Sequence, residues 1–528
     1  AGVRTLFTLS GNHIMPVYDA LIDSGIRLVH TRHEAATVHM ADAWARLTGE
    51  AGIALVTGGP GHANAVSALY TAAMAEAPVV LLSGHAPHGQ LGMGAFQEMR
   101  QADIAAPLCK ASWTCASADA LAADLARAIR IARSGRPGPV HLSLPSDALE
   151  GRTGAALPAE ADFAPQPQAL AAGAAADLLA WLQAAERPLV LAGPGALTRP
   201  GRAAAAALQD AIGVPVIGME SPRGVADPSL GALAEVLARA DRVLLLAKRL
   251  DFTLKFGQSP FGAAVRWAQV DPDEAETART RAAVGARLDA AHHADLPSAV
   301  QALKAAAAAS GPRYAGWAAQ VADALRWRPA AWADPRSVTP GRLHPLQMLK
   351  PIQAVLDSHP DAVFVSDGGE IGQWAQAALC APQRIVNGVA GSIGSALSFA
   401  LAVRCALPPE VPVVAVMGDG TVGFHLSEFD TGVRYGLPIV AVVGNDARWN
   451  AEYQIQLKDY GADRTIGCEL APTRYDRAAA GLGAHGEHVE RPEDMAPALQ
   501  RALASGLPAC INVMTEGLPA PQFKRPAA

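Results

Sequence analysis

The fold of this chain is decided by two neighbouring stretches, VPVVAVMGDGT at residues 411–421 and IVAVVGNDA at residues 439–447. Each begins with a short apolar run of the kind that forms a strand buried on both faces of a sheet. The residues between them, 427–435, are predicted to form a helix, because Gly436 and Pro438 follow and end it. A strand, a crossover helix and a second strand in this order predict a parallel sheet.

Polar residues follow both predicted strands. Asp419 stands at the end of the first strand and Asn445 at the end of the second. The carboxyl ends of neighbouring parallel strands meet at the edge where open α/β sheets bind ligands, so we expect these side chains to converge. Their oxygens and the main-chain carbonyl of Ala447 suit Mg²⁺ or Ca²⁺, provided that diphosphate oxygens and water complete the coordination shell.

The glycine pair around Asp419 supports the same interpretation. Gly418 and Gly420 would let the backbone approach phosphate groups, and the hydroxyl of Thr421 could donate a hydrogen bond to one of them. A GDG sequence alone is equally consistent with a simple tight turn. The asparagine at the end of the next strand favours the phosphate and metal site.

Length and composition set the broad class. The chain has 528 residues, half of them hydrophobic, with a net charge of −6, and roughly 150–200 residues per domain predict about three domains. No block of arginine and lysine predicts a nucleic-acid or anionic membrane partner, so a small molecule is the expected substrate. Six cysteines without a CxxC pair argue against a zinc site and a disulfide framework.

Location is predicted from what the chain lacks. No apolar stretch reaches the roughly 18 residues that a membrane helix needs, and no basic segment with a cleavage site opens the chain. We therefore expect a cytoplasmic protein without a membrane anchor. The chain begins at Ala1 just before a predicted strand, so a preceding segment is expected to be missing.

Strands and helices alternate in three α/β blocks, which predict domains at residues 1–150, 176–310 and 346–520. Segments rich in proline, alanine or tryptophan, at residues 151–175 and 313–345, are predicted to be linkers. A helix is predicted at residues 34–47, before Gly49. The predicted strands are 5–9, 53–56 and 79–83 in the first block, 188–192, 214–217, 242–246 and 266–270 in the second, and 362–366, 411–417 and 439–443 in the third.

With these motifs, the chain resembles thiamine diphosphate-dependent enzymes of the acetolactate synthase, benzaldehyde lyase and 2-hydroxyacyl-CoA lyase group from end to end. The resemblance implies three doubly wound parallel-sheet domains: pyrimidine-binding, middle and diphosphate-binding. It also implies that Glu34, in the sequence THREAA at residues 31–36, hydrogen-bonds the aminopyrimidine ring of the cofactor and so promotes deprotonation of the thiazolium carbon. The sequence GGPGHAN at residues 58–64 places Pro60 and Asn64 among the cofactor-binding residues. Without the other motifs, Glu34 would be read as an acid that favours a helix start.

The sequence Gly391-Ser392-Ile393 resembles the turn that supports the bent cofactor in this family. The main-chain carbonyl of Gly391 would face the amino group of the pyrimidine, and Ile393 would be the apolar residue beneath the cofactor. Taken alone, an isoleucine in this context would be a core residue.

The substrate must be inferred from side chains near the reactive carbon. His13, in the loop after the first strand, matches the position of the active-site histidine of benzaldehyde lyase and could move the proton of a 2-hydroxyl group. Gln97 matches a glutamine that faces substrate in both benzaldehyde lyase and acetolactate synthase. An isolated histidine is more often structural, but the position of His13 at a strand end favours catalysis.

The middle block offers weaker signals. Its sequence LVLAGPG at residues 189–195 follows a strand but lacks the full GxGxxG fingerprint of dinucleotide sites. Acetolactate synthases bind FAD and oxalyl-CoA decarboxylases bind ADP in this domain, and the sequence leaves open whether this chain retains either ligand. The run at residues 249–257 resembles 2-hydroxyacyl-CoA lyases, whereas the third block looks closest to benzaldehyde lyase.

Two departures from the family pattern bear on the active site. Gly444 replaces the first asparagine of the usual Asn-Asn pair, and Arg448-Trp449-Asn450 stands where many relatives have small residues. The chain also ends soon after Val513, which leaves little sequence for a lid over CoA.

The sequence predicts a thiamine diphosphate- and Mg²⁺-dependent carbon–carbon lyase or carboligase, acting on 2-hydroxy carbonyl compounds as benzaldehyde lyase does. The alternatives are a 2-hydroxyacyl-CoA lyase, an acetolactate synthase-like enzyme, a 2-keto acid decarboxylase and, from another class, a non-catalytic cofactor-binding homologue. In this family Glu34 and Asp419 come from different subunits, so the resemblance implies a homodimer or homotetramer.

Overall fold

Three parallel sheets of six, five and six strands follow one another along the chain. They are seen in a computed structural model, which describes residues 1–307 and 314–525. Every pairing between neighbouring strands in the three sheets is parallel. The predicted α/β class with three doubly wound sheets is thereby confirmed.

The first sheet has the strand order β2-β1-β3-β4-β6-β5. Its strands are β1 (Thr5–Leu9), β2 (Arg27–His30), β3 (Gly52–Val56), β4 (Val79–His85), β5 (Ala111–Thr114) and β6 (Val140–Pro145). Its helices are α1 (Met15–Leu21), α2 (Glu34–Thr48), α3 (Pro60–Met74), α4 (Gln101–Ala105), α5 (Ala118–Arg133) and α6 (Ser146–Glu150).

The middle sheet has the order β11-β10-β9-β7-β8. Its strands are β7 (Pro188–Ala192), β8 (Val216–Gly218), β9 (Arg242–Leu246), β10 (Arg266–Val270) and β11 (Leu288–His292). The accompanying helices are α7 (Ala172–Gln183), α8 (Arg199–Ile212), α9 (Leu233–Arg239), α10 (Glu274–Val284), α11 (Leu296–Ala306) and α12 (Ala315–Arg326).

The third sheet has the order β13-β12-β14-β15-β17-β16, the same arrangement as the first. Its strands are β12 (Val363–Ser366), β13 (Gln383–Val386), β14 (Val413–Gly418), β15 (Val440–Asn445), β16 (His485–Val489) and β17 (Ala509–Met514). Its helices are α13 (Pro345–Asp357), α14 (Gly369–Ala378), α15 (Ala396–Ala406), α16 (Asp419–Val422), α17 (Glu428–Arg434), α18 (Asn450–Tyr460), α19 (Tyr475–Gly481) and α20 (Pro492–Ala504).

The first and third sheets share an apolar core, which forms where α2 packs on α15. Phe7 and Trp44 of the first domain belong to the same buried cluster as Phe399 and Val443 of the third. The guanidinium of Arg46 lies 4.7 Å from the centre of the Phe399 ring, a cation–π contact between the two helices. This packing joins the first and third domains of one chain, whereas the middle sheet has a separate core.

The tryptophan- and proline-rich segment at residues 313–345 was predicted to be a linker, and for α12 that prediction is wrong. Trp317 and Val321 of α12 are buried in the core of the middle domain, and the Trp317 indole donates to the Pro188 carbonyl at 2.9 Å. The spacing of Trp317, Val321 and Ala324 is that of one helix face. The amino-acid composition of the segment did not indicate this helical spacing. Arg313, at the start of the predicted segment, lies outside the described residues.

Within the described ranges, the structure contains no helix with the length and apolar character needed to cross a membrane.

Candidate active site

A cavity of about 220 Å³ opens at the edge of the third sheet, beyond the carboxyl ends of β14 and β15. Residues that follow these strands form its floor, and two residues from the middle domain border it. Its polar and charged lining residues are Arg223, Glu370, Gln373, Asn387, Asp419, Thr421, Asp446, Arg448, Asn450 and Glu452. The cavity therefore lies where open parallel sheets bind their ligands.

Asp419, the first residue of α16, is buried in this cavity. Burial raises the pKa of its carboxyl to about 6, although main-chain N–H groups of Gly420, Ala447 and Arg448 lower it in part. The Oδ2 atom has no hydrogen-bond partner among the described residues. A buried carboxylate oxygen without a partner is costly, and a cation would stabilise it.

A second carboxylate stands beside Asp419, and it belongs to Asp446. Burial and the neighbouring Asp419 raise the pKa of the Asp446 carboxyl to about 7. The N–H of Arg448 donates to Asp446 Oδ1 at 3.1 Å, which holds the carboxylate at the start of the loop after β15. Two adjacent acids that resist ionisation together are the arrangement that a divalent cation would neutralise.

Asn445 and Ala447 are placed differently from Asp446. The Asn445 amide donates to the Thr473 carbonyl at 2.9 Å and to Asn512 Oδ1 at 3.1 Å, and its own Oδ1 accepts from the N–H of Ala447. The Ala447 carbonyl accepts from the N–H of Leu470 at 2.8 Å. Neither residue lines the cavity. Asn445, the last residue of β15, has its side chain in the core, and Asp446, just beyond the strand, lines the cavity.

The GDG turn leaves space for a ligand only because its residues are small. Trp449 lies over Gly420, where an added Cβ would come within 2.6 Å of the indole ring. The hydroxyl of Thr421 donates to the Gly418 carbonyl at 3.0 Å. The hydroxyl proton of Thr421 is thus used within the turn, and Thr421 remains at the wall of the cavity.

The turn that carries Gly391 and Ile393 also borders the cavity. It is held by Asp367, a residue that the sequence motifs did not identify. The buried Asp367 carboxylate accepts from the N–H of Gly394 at 3.0 and 3.1 Å and from the N–H of Ala396 at 3.1 Å. An acidic residue directly after β12 was the available signal, because strand ends in such sheets carry functional side chains. Asp367 positions Ile393 through the backbone.

Glu34 is the first residue of α2, whose N-terminus is capped by His33: the His33 Nδ1 accepts from the N–H of Ala35 at 3.1 Å. The Asn64 amide donates to Glu34 Oε2 at 3.0 Å. Glu34 is half-buried, whereas Asn64 and Pro60, both on α3, are exposed. The predicted pyrimidine-binding residues therefore come together on an open surface of the first domain.

The segment before Glu34 is anchored to the third domain. The buried Glu428 of α17 accepts from the N–H of Arg32 at 2.9 and 3.2 Å. Burial raises the pKa of the Glu428 carboxyl to about 7. This contact fixes the start of α2, and with it the direction of Glu34.

His13 and Gln97 lie near the loop that follows β3. His13 is buried, its Nδ1 is 3.3 Å from the Thr57 hydroxyl, and its ring stacks at 6.1 Å on Phe96. Burial, and secondly the neighbouring His85, lower the pKa of His13, so the ring is neutral near pH 7. Gln97 has φ +57°. Its main-chain carbonyl packs so closely on Gly59 that a Cβ added to Gly59 would lie 2.6 Å from the carbonyl oxygen.

Gln101, which sequence reasoning missed, ties this loop to the sheet. Its Oε1 accepts from the N–H of Gly59 at 2.8 Å, and its Nε2 donates to the Gly84 carbonyl at 3.0 Å and to the Ser143 hydroxyl at 3.1 Å. A buried glutamine with both ends satisfied gives the loop one orientation.

The models of the thiamine pyrophosphate enzyme match in three parts: the N-terminal TPP binding domain at residues 1–104, the central domain at residues 175–303 and the C-terminal TPP binding domain at residues 367–513. The chain belongs to the thiamine pyrophosphate enzyme family. It is an enzyme that depends on thiamine diphosphate, and the non-catalytic alternative is set aside.

Individual relatives within the thiamine pyrophosphate family carry two different names. The acetolactate synthase large subunit of Mycobacterium tuberculosis is 34% identical over 535 residues, which cover 98% of this chain and 94% of the relative. The human 2-hydroxyacyl-CoA lyase 2 is 31% identical over 569 residues, covering 97% and 88%. The acetolactate synthase large subunit of Parasynechococcus marenigrum is 28% identical, covering 97% and 85%.

The two halves of the site fit the cofactor of this family but lie apart in one chain. None of the described residues that line the cavity comes from the first domain. The described residues also contain no group of three or more His, Cys, Asp and Glu side chains that could hold a metal unaided. A cation at Asp419 and Asp446 would therefore need main-chain and diphosphate oxygens, as hard divalent cations readily accept.

Proposed function

We propose that this protein is a thiamine diphosphate- and magnesium-dependent carbon–carbon lyase or carboligase that acts on 2-hydroxy carbonyl compounds. The observation that carries the proposal is His13, a buried histidine with a lowered pKa beside the loop that precedes Asn64. A neutral imidazole can accept the proton of a 2-hydroxyl group, the step required when the adjacent carbon–carbon bond breaks. When bound, thiamine diphosphate supplies the nucleophilic carbon that adds to a carbonyl.

The metal-binding residues proposed here are Asp419, Asn445 and the main-chain carbonyl of Ala447, joined by the Asp446 carboxylate. Support comes from the two neighbouring carboxylates in the cavity and from the unpartnered Oδ2 of Asp419. The Asn445 amide nitrogen is held by Thr473 and Asn512, and its Oδ1 accepts only the Ala447 N–H among the described residues, which leaves a second lone pair for a cation. Mg²⁺ suits this set because it binds through one or two carboxylates together with phosphate oxygens.

Glu34 is proposed to hold the pyrimidine ring of the cofactor, with Asn64 orienting the carboxylate and Pro60 beside them. The hydrogen bond between Asn64 and Glu34, and the exposure of that surface, support this role. Gly391 and Ile393 are proposed to contact the cofactor from the third domain. Because Glu34 is absent from the cavity of its own chain, two copies are proposed to combine their halves in a homodimer or homotetramer. The assembly is tested by light scattering together with an activity assay. A species that is monomeric by light scattering, binds the cofactor and turns over substrate would contradict it.

His13 and Gln97 are proposed to manage the hydroxyl and carbonyl groups of the substrate. Both lie around the loop that follows β3, and the exposed Phe96 between them supplies an aromatic surface. Trp449 lines the third-domain cavity, and the exposed Phe424 ring lies 6.4 Å from it between ring centres. Apolar and aromatic acyl groups would be favoured by such walls.

Acetolactate synthesis and 2-hydroxyacyl-CoA cleavage are the second candidates, because relatives with those names cover nearly the whole chain. Simple 2-keto acid decarboxylation is a further alternative within the same chemistry. These reactions differ in whether carbon dioxide is released and in whether CoA is required.

The deciding experiment incubates the enzyme, reconstituted with thiamine diphosphate and Mg²⁺, with benzoin, pyruvate and a 2-hydroxyacyl-CoA in parallel. Released aldehyde and carbon dioxide are followed, and the Glu34→Gln variant serves as the inactive control. Aldehyde from benzoin is the expected result. Carbon dioxide from pyruvate alone would replace the proposal with acetolactate synthesis or decarboxylation, and cleavage of the CoA ester alone would replace it with CoA-lyase activity.

A further inference from the structure

The strand order of the middle sheet reverses at β7. Strand β8 pairs on one side of β7, and the next strand, β9, pairs on the other. Open α/β sheets bind ligands at such a switch point, just beyond the carboxyl ends of the strands. The glycine-containing loop after β7 lies there, and its N–H groups are where the phosphates of FAD or ADP would be expected to bind.

In this chain a carboxylate of the first domain occupies that position. Glu76 follows α3, and its side chain is only 4% exposed. Its Oε2 accepts from the N–H of Gly195 at 3.4 Å, and its Oε1 pairs with the Arg136 guanidinium. Glu76 has φ +57°, a backbone conformation that costs energy for any residue except glycine. At the end of α3 this conformation is held by the N–H groups of Glu76 and Ala77, which donate to the carbonyls of Ala73 and Ala72, and the side-chain bonds of Glu76 add to it.

Both terminal nitrogens of the arginine at this crevice are engaged, whereas its buried Nε has no hydrogen-bond partner among the described residues. Arg136 Nη2 lies 2.8 and 2.6 Å from the two carboxylate oxygens of Asp271, and Nη1 donates to the Ala247 carbonyl at 3.2 Å. With Glu76 on its other side, the guanidinium is neutralised by two carboxylates of its own chain. A free arginine here could have bound a phosphate through paired hydrogen bonds.

Asp271 follows β10, where an acidic residue in a nucleotide-binding sheet would bind ribose hydroxyls. Its side chain is fully buried. Besides Arg136, Oδ1 accepts from the N–H of Asp273 at 3.0 Å, and Oδ2 lies 3.4 Å from the Gln269 amide. Both oxygens are therefore used within the protein.

The space around these three residues does not suit a diphosphate. The loops after β7 and β9 touch, since a Cβ at Gly193 would lie 2.2 Å from the Ala247 carbonyl oxygen. A cavity of about 360 Å³ lies beside the cluster. Apolar walls dominate it, formed by residues such as Ala196, Pro200, Ala204, Leu208, Leu296 and Val300. A diphosphate there would lose its hydration and face the like charge of Glu76, which lines the cavity together with Arg133 and Arg136.

We infer that the middle domain of this enzyme binds neither FAD nor ADP, because the Glu76–Arg136–Asp271 cluster closes its ligand crevice from within. The Glu76 carboxylate takes the place that a ligand phosphate would have on Gly195 and Arg136. The closed crevice lies between the first and middle domains and is independent of the substrate at the active site.

The test begins with the purified wild-type holoenzyme. Acid-released flavin is measured by absorbance and fluorescence, and ADP is titrated into the protein by calorimetry. The expected results are no flavin and no heat of ADP binding. Stoichiometric flavin, or ADP that binds to the wild type, would overturn the inference.

The Glu76→Gly variant tests the proposed cause. Glycine accepts φ +57° without strain, so the variant is expected to fold and, with the Gly195 N–H released and Arg136 relieved of one of its two carboxylates, to gain measurable ADP binding. Glu76→Gln provides the same test with a side chain of similar size, and Glu50→Gln, at an exposed glutamate of the same domain, is the matched control. If the Glu76 variants fold but show no measurable ADP binding, this carboxylate does not close the crevice.

Discussion

The side-chain amide of Asn64 donates a hydrogen bond of 3.0 Å to the Glu34 carboxylate, and this contact joins the first turn of α3 to the first residue of α2. Both helices begin directly after strands or loops of the first sheet, so their N-termini open on the same side. The hydrogen bond leaves Glu34 with one defined orientation on a surface where Asn64 is exposed.

Replacing Asn64 by alanine should therefore impair catalysis without unfolding the protein. A hydrogen bond to a charged group contributes about 1.5–3 kcal/mol, which corresponds to a fall in kcat of about tenfold to a hundredfold. Steady-state kinetics with saturating thiamine diphosphate would measure it. Ser67→Ala is the matched control, since that hydroxyl donates only to its own helix at Asn64 O, and an equal loss in both variants would contradict the role of Asn64.

The Asp446→Ala variant should lose metal affinity. Removing one of two neighbouring carboxylates leaves Asp419 as the sole acidic ligand, and the Mg²⁺ concentration for half-maximal cofactor binding should rise at least about a hundredfold. Quenching of tryptophan fluorescence during Mg²⁺ titration measures this directly, because Trp449 lies over Gly420.

The Asn445→Ala variant should be measured in the same Mg²⁺ titration. It removes a proposed metal ligand and breaks hydrogen bonds to Thr473 and Asn512, so both the Mg²⁺ affinity and the thermal midpoint should fall. Mg²⁺ affinity equal to that of the wild type in Asn445→Ala, with a strong loss in Asp446→Ala, would leave Asp446 as the ligand in place of Asn445.

His13→Ala should slow the substrate step and leave cofactor binding intact, because general acid–base catalysis contributes about a hundredfold or more. Burial lowers the pKa of His13, so the active neutral form should persist below its ordinary pKa of 6.5, and wild-type activity should hold to that pH. The kcat/KM profile against pH measures both effects. His88→Ala is a control in the same domain, where the ring instead contacts Asp147 at 3.0 Å; an unchanged rate in His13→Ala would remove this histidine from the mechanism.

The Glu428 carboxylate should make stability depend on pH. Its pKa rises from 4.5 to about 7 on folding, so the folded state binds more protons than the unfolded state between these values. Stability therefore falls as the pH rises through this window and levels off above it. Glu428→Gln should abolish this fall and be more stable than the wild type above pH 7 by about 1–3 kcal/mol.

Denaturant unfolding of both proteins across the window would test this prediction. At a pH below 4.5 the two proteins should have similar stability, since the wild-type carboxyl is then protonated in both states. The effect of burial would be contradicted if the difference in unfolding free energy between the wild type and Glu428→Gln did not change between these two pKa values.

The local pattern of the sequence determined the strands and helices that carry the site. The apolar run before Asp419, the helix that begins at Glu34 and the strand at residues 242–246 follow from periodicity and turn residues, which act over a few positions. For the same reason the sequence predicted three α/β domains and the turn at Gly418.

Tertiary structure alone decided which side chains meet. Whether Asn445 or Asp446 faces the cavity depends on the phase of β15 in the sheet, and one step along a strand reverses the direction of every side chain. The contact of Glu76 with Arg136 joins residues sixty positions apart, and neither carries a local motif. Such contacts arise from packing between elements that are distant in the sequence, which no short stretch of sequence encodes.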